Sequence, residues 1–272
     1  MSQQFGICTW TLGIDDLETL MSTIAESGLN SVQYCESMSA HKAEDVVRMA
    51  QKYNLDLLIF DPFDCRPSEE NGEASLEGAV AFYQRVVDYA KQLGCGATLQ
   101  GLSAWTSQCN TQEAAWAQLV ESVKRIQAYA ETRQVHLSYE PCNLYEVPLI
   151  HTTSDFQALV NDSQCEDLSI LLDSFHMNIG ESDPLLAAEH YAAKNAIFHV
   201  SDSNREGIGH GNIDFLEHYE ALQRGGFDGP IVFEFVLSNN PANTPPRNDH
   251  EMHTLLEHVK QSQQAWSSFS AF

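Results

Sequence analysis

Short runs dense in Val, Ile, Leu and Phe alternate along the chain with longer stretches in which apolar positions recur every three or four residues. The first kind has the length and composition of buried strands, the second the period of amphipathic helices. Strands are predicted over 5–10, 31–36, 55–60, 97–101, 135–140, 168–173, 196–201 and 230–235. Helices are predicted near 15–28, 40–53, 73–94, 111–133, 153–163, 182–194, 213–226 and 248–266. The segments ESGLN, KYNLD, QLGCGA and RGGFDG each place a Gly or Asn stop between a helix end and the next strand. Eight such units, one in about 34 residues, specify a parallel sheet with crossover helices. Eight close it into an α/β fold, a single (β/α)8 TIM barrel forming one domain over 1–272. An open doubly wound sheet is the alternative. Two connections are unusually long, DPFDCRPSEENGEAS after the third strand and VLSNNPANTPPRNDH after the eighth. Both leave strand carboxyl ends and are candidate lids over a pocket.

The polar residues that close the later strands sharpen this reading. VHLSYE, SILLDSFH, AIFHVSD and PIVFEF carry Glu140, Asp173, His199 and Glu234 at or near their carboxyl ends. One acidic residue there is ordinarily a helix cap or a solvated loop residue. Four on four successive strands would place carboxylates at one rim, where they repel strongly without a cation between them. The rim at the strand carboxyl ends is also where barrels of this kind carry their chemistry. Three carboxylates and an imidazole make a hard, mainly oxygen donor set, suited to Mn2+ first, or Mg2+ or Co2+, rather than to structural zinc.

Charge and composition narrow the partners. With 14 basic against 38 acidic residues the formal net charge is -24, which disfavours nucleic acid and anionic membranes and suits a small molecule or a cation. MSQQFGICTW has neither the basic nor the long apolar part of an export signal, and no run of 18 apolar residues occurs, so a soluble, cytoplasmic chain is expected. Seven cysteines stand singly with no C-x-x-C pair and read as reduced thiols, Cys142 as a buried structural one. Gly209-His210-Gly211 follows no strand directly and lacks a third glycine, so it is not read as a dinucleotide site.

The words around the four rim residues are more specific than the residues alone. They are Glu140-Pro-Cys-Asn143-Leu-Tyr-Glu146, Asp173-Ser-Phe-His176-Met-Asn-Ile, His199-Val-Ser-Asp202-Ser-Asn-Arg205 and Phe233-Glu234-Phe235. Here the chain resembles the ketose 3-epimerases of the xylose-isomerase-like barrels, the group that includes D-tagatose 3-epimerase and D-psicose 3-epimerase. The resemblance runs over most of the chain and is densest from about 135 to 236. It implies Glu140, Asp173, His199 and Glu234 as metal ligands, with Glu146, His176 and Arg205 on the substrate. Gly209 to Phe215 resembles the family's G-x-G-x-I-D-F segment, with Ile208 where a proline often stands. Gly101-Leu-Ser-Ala-Trp105 resembles a segment whose aromatic flanks the sugar, so Trp105 is a candidate substrate contact, and Trp10 at the end of the first strand another; core packing serves either equally well.

The activity so implied inverts C3 of a free ketose. A proton leaves one face of the carbon beside the carbonyl and one returns to the other, through a cis-enediolate, with Glu140 and Glu234 as the two bases. The cation would meet the developing charge, and His176 and Arg205 would donate to the oxygens. The same ligand set suits aldose–ketose isomerisation and inosose dehydration, and a non-catalytic sugar-binding barrel is a further alternative. A DNA-repair endonuclease would need more ligands and a basic face. The other histidines, His41, His136, His151, His190, His218, His250, His253 and His258, are read as exposed or structural, and His210 as a rim residue. No glycine-rich phosphate cradle follows strand 7 or 8, which disfavours phosphorylated substrates. The resemblance also suggests a homodimer or homotetramer.

Overall fold

The structure is a computed structural model that describes residues 3–270. The eight apolar runs form β1 (Phe5–Cys8), β2 (Ser31–Cys35), β3 (Asp56–Asp61), β4 (Gly96–Thr98), β5 (Leu137–Tyr139), β6 (Ser169–Asp173), β7 (Asn195–Val200) and β8 (Ile231–Phe233). All pair in parallel in chain order, and β8 returns to β1 through Phe5–Ile231, Gly6–Val232 and Ile7–Phe233, closing the barrel. The (β/α)8 architecture is thus the one expected.

Around it run α1 (Leu17–Glu26), α2 (Ala43–Lys52), α3 (Leu76–Leu93), α4 (Gln112–Arg133), α5 (Thr153–Ser163), α6 (Ser174–Gly180), α7 (Pro184–Tyr191), α8 (Phe215–Arg224) and α9 (Asp249–Phe269). Eight start where a side chain accepts a first-turn N–H: Asp16, Ser75, Thr111, Thr152, Asp173, Asp183, Asp214 and Asn248. Each such cap is worth about 1 kcal/mol. At Thr152 the bond is reciprocated by Asp155. Among the described residues no helix is long and apolar enough to cross a membrane.

Two details differ from expectation. β1 and β4 end early because each runs into a tight 3-10 turn, Thr9–Thr11 and Gln100–Thr106. The Thr11 hydroxyl donates to the Cys8 carbonyl at 2.8 Å, and the Thr98 hydroxyl accepts from the Gln100 N–H at 3.0 Å, so side chains divert the backbone from the ladder. The short α6 was not foreseen. It starts directly from β6, capped by Asp173 Oδ1, which accepts the Phe175 N–H at 2.7 Å.

The core has two parts. The larger fills the layer between barrel and helices, from Ile7, Val32 and Phe60 to Phe198, Phe233 and Trp266. A smaller one, built on Cys8, Cys35, Ile59, Leu171, Ile197 and Val232, fills the barrel itself. Successive strand residues face opposite ways, so these inward residues fix which side chains rise above them at the rim.

Candidate metal centre and active site

The site sits one alternation above the inner core. Two residues beyond Leu171, Ile197 and Val232 come Asp173, His199 and Glu234, and two beyond Ser138 comes Glu140. Asp173 and His199 are direct cross-strand partners. All four residues are buried and offer donor atoms within 4.8 Å of one another. His199 Nδ1 lies 3.1 Å from Glu234 Oε2, 3.5 Å from Glu140 Oε1 and 3.7 Å from Asp173 Oδ2. Its other nitrogen, Nε2, is 2.7 Å from Gln33 Oε1 on β2. With Nε2–H donated to Gln33, the Nδ1 lone pair faces the carboxylates, as in an imidazole oriented for ligation. His199 Nδ1 and Glu140 Oε1 are buried with no hydrogen-bond partner. Two unpartnered buried atoms among converging carboxylates, with Nδ1 offering a lone pair once its proton is displaced, are what a divalent cation would satisfy, so the residues fit one.

The electrostatics show the same demand. Burial pushes the Glu140 carboxyl up to about 7, with Glu234 and Asp173 adding to the rise and His199 opposing it. Burial works against charge on Asp173 and Glu234 too, but the Arg205 guanidinium and the nearby imidazoles outweigh it and hold both below the ordinary carboxylate range. Burial likewise disfavours His199 as a cation, yet Glu140 and Glu234 raise its pKa well above the usual value. The cluster thus draws positive charge from a proton and an arginine.

Arg205 spans the rim. Its Nη1 donates to Asp173 Oδ2 at 2.5 Å and to Ser201 Oγ at 3.0 Å, its Nη2 to Glu234 Oε2 at 2.7 Å, and its guanidinium lies 4.7 Å over the Phe175 ring. The residue holds φ +67, an uncommon left-handed backbone for a long side chain. The loop around it fixes that shape: the Arg205 carbonyl accepts from the Val236 N–H at 2.8 Å, and buried Asp202 accepts from the N–H groups of Ser203, Gly209 and Ile213. A Cβ at Gly211 would lie 2.4 Å from Asp202 Oδ1, so the second glycine of the Gly209-His210-Gly211 segment makes room for that carboxylate.

His176, in the first turn of α6, is buried. Asn143 Nδ2 lies 2.9 Å from its Nδ1 and 2.8 Å from Glu146 Oε1, joining the two predicted substrate residues. With Nδ1 accepting, Nε2–H points to the centre, 3.7 Å from Glu140 Oε1 and 3.8 Å from Asp173 Oδ2. Burial, more than Asp173 opposes it, lowers the His176 pKa, which favours the neutral ring.

Above the centre opens a cavity of about 1090 Å³ lined by Glu140, Glu146, His176, Arg205 and Glu234 among others. Both long loops reach it, through Phe63, Cys65 and Arg66 after β3 and Asn243 after β8. The two tryptophans separate. Trp10 lines the cavity and donates to Glu234 Oε1 at 2.8 Å. Trp105 is fully buried, donates to the Cys65 carbonyl at 2.8 Å, packs on Phe82 and lies outside the lining, so the structure does not bring it to the site. Cys142 is fully buried and also outside the lining. Asp61 was missed. It ends β3 two residues after Ile59, faces the cavity, and is pushed up to about 8 by burial and by Glu140 and Glu234. Gln33, an inward polar residue amid the apolar β2, was missed as well.

The sequence profile of the xylose isomerase-like TIM barrel family matches residues 21–257, most of the chain. The chain belongs to that family. Within it, an L-ribulose 3-epimerase of Mesorhizobium japonicum is 33% identical over 123 residues, 45% of this chain and 41% of that protein. A ketose 3-epimerase of Arthrobacter globiformis is 28% identical over 228 residues, 82% of this chain and 70% of that one. The chain thus aligns with under half of the first relative and about two thirds of the second. A solved L-ribulose 3-epimerase structure superposes with a TM-score of 0.81 at 19% identity, covering 99% of this chain and 94% of that one, and shares the fold. The resemblance read from the motifs to ketose 3-epimerases of this family is matched by these relatives.

Proposed function

We propose that this chain is a divalent-metal-dependent carbohydrate epimerase that inverts C3 of a ketose, with Mn2+ the preferred ion and Mg2+ or Co2+ as substitutes. The observation that carries this reading is the convergence of Glu140 and Glu234, from β5 and β8, on one point while both line one cavity. Two carboxylates entering from strands three places apart give one base for each face of a carbon held between them. The 3-epimerase names of the relatives support the same reading.

Held by Glu140, Asp173, His199 and Glu234, a divalent cation would supply Lewis acidity at the carbonyl and a fixed charge to offset the negative charge that deprotonation develops. Glu140 and Glu234 then exchange roles with the direction of reaction, one taking the C3 proton and the other delivering a proton from the opposite face. The Nε2–H of His176 donates to a substrate oxygen, and Arg205 does so as a permanent cation. Glu146, tied to His176 through Asn143, accepts from a hydroxyl.

The test is proton NMR in deuterated water with Mn2+-loaded protein and D-fructose, D-tagatose, D-psicose or L-ribulose. Deuterium at C3 with appearance of the C3 epimer is expected, and Glu140→Gln and Glu234→Gln should each slow it by several orders of magnitude. Label at C1 with an aldose product would instead make the chain an isomerase. No exchange on any keto-sugar would leave a binding barrel.

A further inference from the structure

The cavity is far larger than the reaction requires. A hexose at the density of an organic crystal occupies about 200 Å³, roughly a fifth of the 1090 Å³ available. The lining is also divided. Its inner end carries buried Glu140, His176 and Glu234 with half-buried Arg205, and its outer part is built from the loop after β3, the loop after β5 and the start of α4. Two aromatic rings stand in that outer part, Phe63 at 51% and Tyr145 at 81% exposure, among the five large apolar side chains most exposed in the described residues. Phe63 is held in place by stacking on Trp10 at 5.6 Å, and Trp10 in turn bonds Glu234, so the outer ring is coupled to the inner site. Arg66, Gln100 and Asn110 add hydrogen-bond donors to the same chamber.

Flat aromatic faces edged by amide and guanidinium donors match the surface of a pyranose, which has an apolar C–H face and a hydroxyl rim. A phosphate or carboxylate fits less well, because Asp61, Glu140, Glu146 and Glu234 share the cavity with Arg66 and Arg205, in a chain of net charge -24. Because the proposed reaction holds C2 and C3 against Glu140 and Glu234 at the inner end, the chain beyond C3 is the part left to extend toward the outer chamber.

We propose that the outer chamber binds a neutral glycosyl group carried on the C4 to C6 end of the ketose, so that the preferred substrate is of disaccharide size. This rests on the epimerase reading above. The glycosidic bond stays intact; the only bonds broken and made are those between C3 and its proton.

The experiment compares D-fructose, 4-O- and 6-O-glucosyl-D-fructose and D-fructose 6-phosphate on the Mn2+-loaded protein, following deuterium entry at C3. A kcat/KM at least tenfold higher for a glucosyl-fructose than for D-fructose is expected. Equal or faster exchange of D-fructose, or preference for the phosphate, overturns the inference and leaves the epimerase reading standing. Exchange on none overturns both. Ala115→Phe, which narrows the outer chamber from α4, is expected to lower the ratio of the two kcat/KM values at least tenfold. An unchanged ratio in a variant with native circular dichroism would place the glycosyl group elsewhere and overturn the assignment.

Discussion

The indole N–H of Trp10 is bonded to Oε1 of Glu234 at 2.8 Å, so a residue in the 3-10 turn after β1 holds the carboxylate that follows β8. A hydrogen bond to a charged group contributes about 1.5–3 kcal/mol. Trp10→Phe keeps most of the ring and removes the donor. Exchange at C3 is expected to slow by about tenfold to a hundredfold, with the far-ultraviolet spectrum unchanged; activity within twofold of the parent would show that the bond does not orient Glu234.

Arg205 is the main fixed positive charge among these carboxylates. Its removal in the absence of metal leaves Asp173 and Glu234 short of a counter-charge, and breaking a buried ion pair costs about 3–5 kcal/mol. Arg205→Met should therefore lower the melting temperature of the chelator-treated protein by roughly 6 °C or more. Added Mn2+ should recover more of that loss than it adds to the parent, since the ion supplies charge that the arginine no longer does. Equal shifts in both proteins would contradict this.

Gln33 touches no predicted substrate group, yet it fixes the tautomer of His199. Loss of such an outer hydrogen bond typically weakens metal binding about 10–100-fold. Titration calorimetry of Gln33→Leu with Mn2+ checks this directly, and an unchanged dissociation constant would remove Gln33 from the account.

Away from the site, His218 on α8 lies near the Phe198 and Phe215 rings, and burial lowers its pKa below that of a free imidazole. The native state then binds fewer protons than the unfolded one as pH falls below about 6.5. Stability is thus full above that pH and declines on acidification until the native pKa is passed. In chelator, the loss of denaturation midpoint between pH 7.5 and 5 is expected to be smaller for His218→Phe than for the parent; an identical acid limb would refute the assignment.

The barrel and the rim residues were legible because strand composition, helix period and glycine stops agree along the chain. Asp61 was lost at a boundary. Ending the third strand at 60 hid the fact that Asp61 stands two residues beyond Ile59, the same step that carries Leu171 to Asp173. Trp105 went astray for another reason: a motif places a residue on a segment, but the tight turn at Gln100–Thr106 decides which way the ring points, and here it points into the core. Gln33 had only its polarity amid apolar neighbours to mark it. Contacts between residues far apart in the chain, such as Trp10 with Glu234 at the β1–β8 closure, have no local signal in sequence at all.

The two-residue step from the inner core to the rim separates inheritance from invention. Leu171, Ile197 and Val232 hold the strands together whatever stands above them, so the rim can be rewritten by substitution without renegotiating the scaffold. A lineage built this way can keep its architecture and trade its chemistry, one side chain per strand.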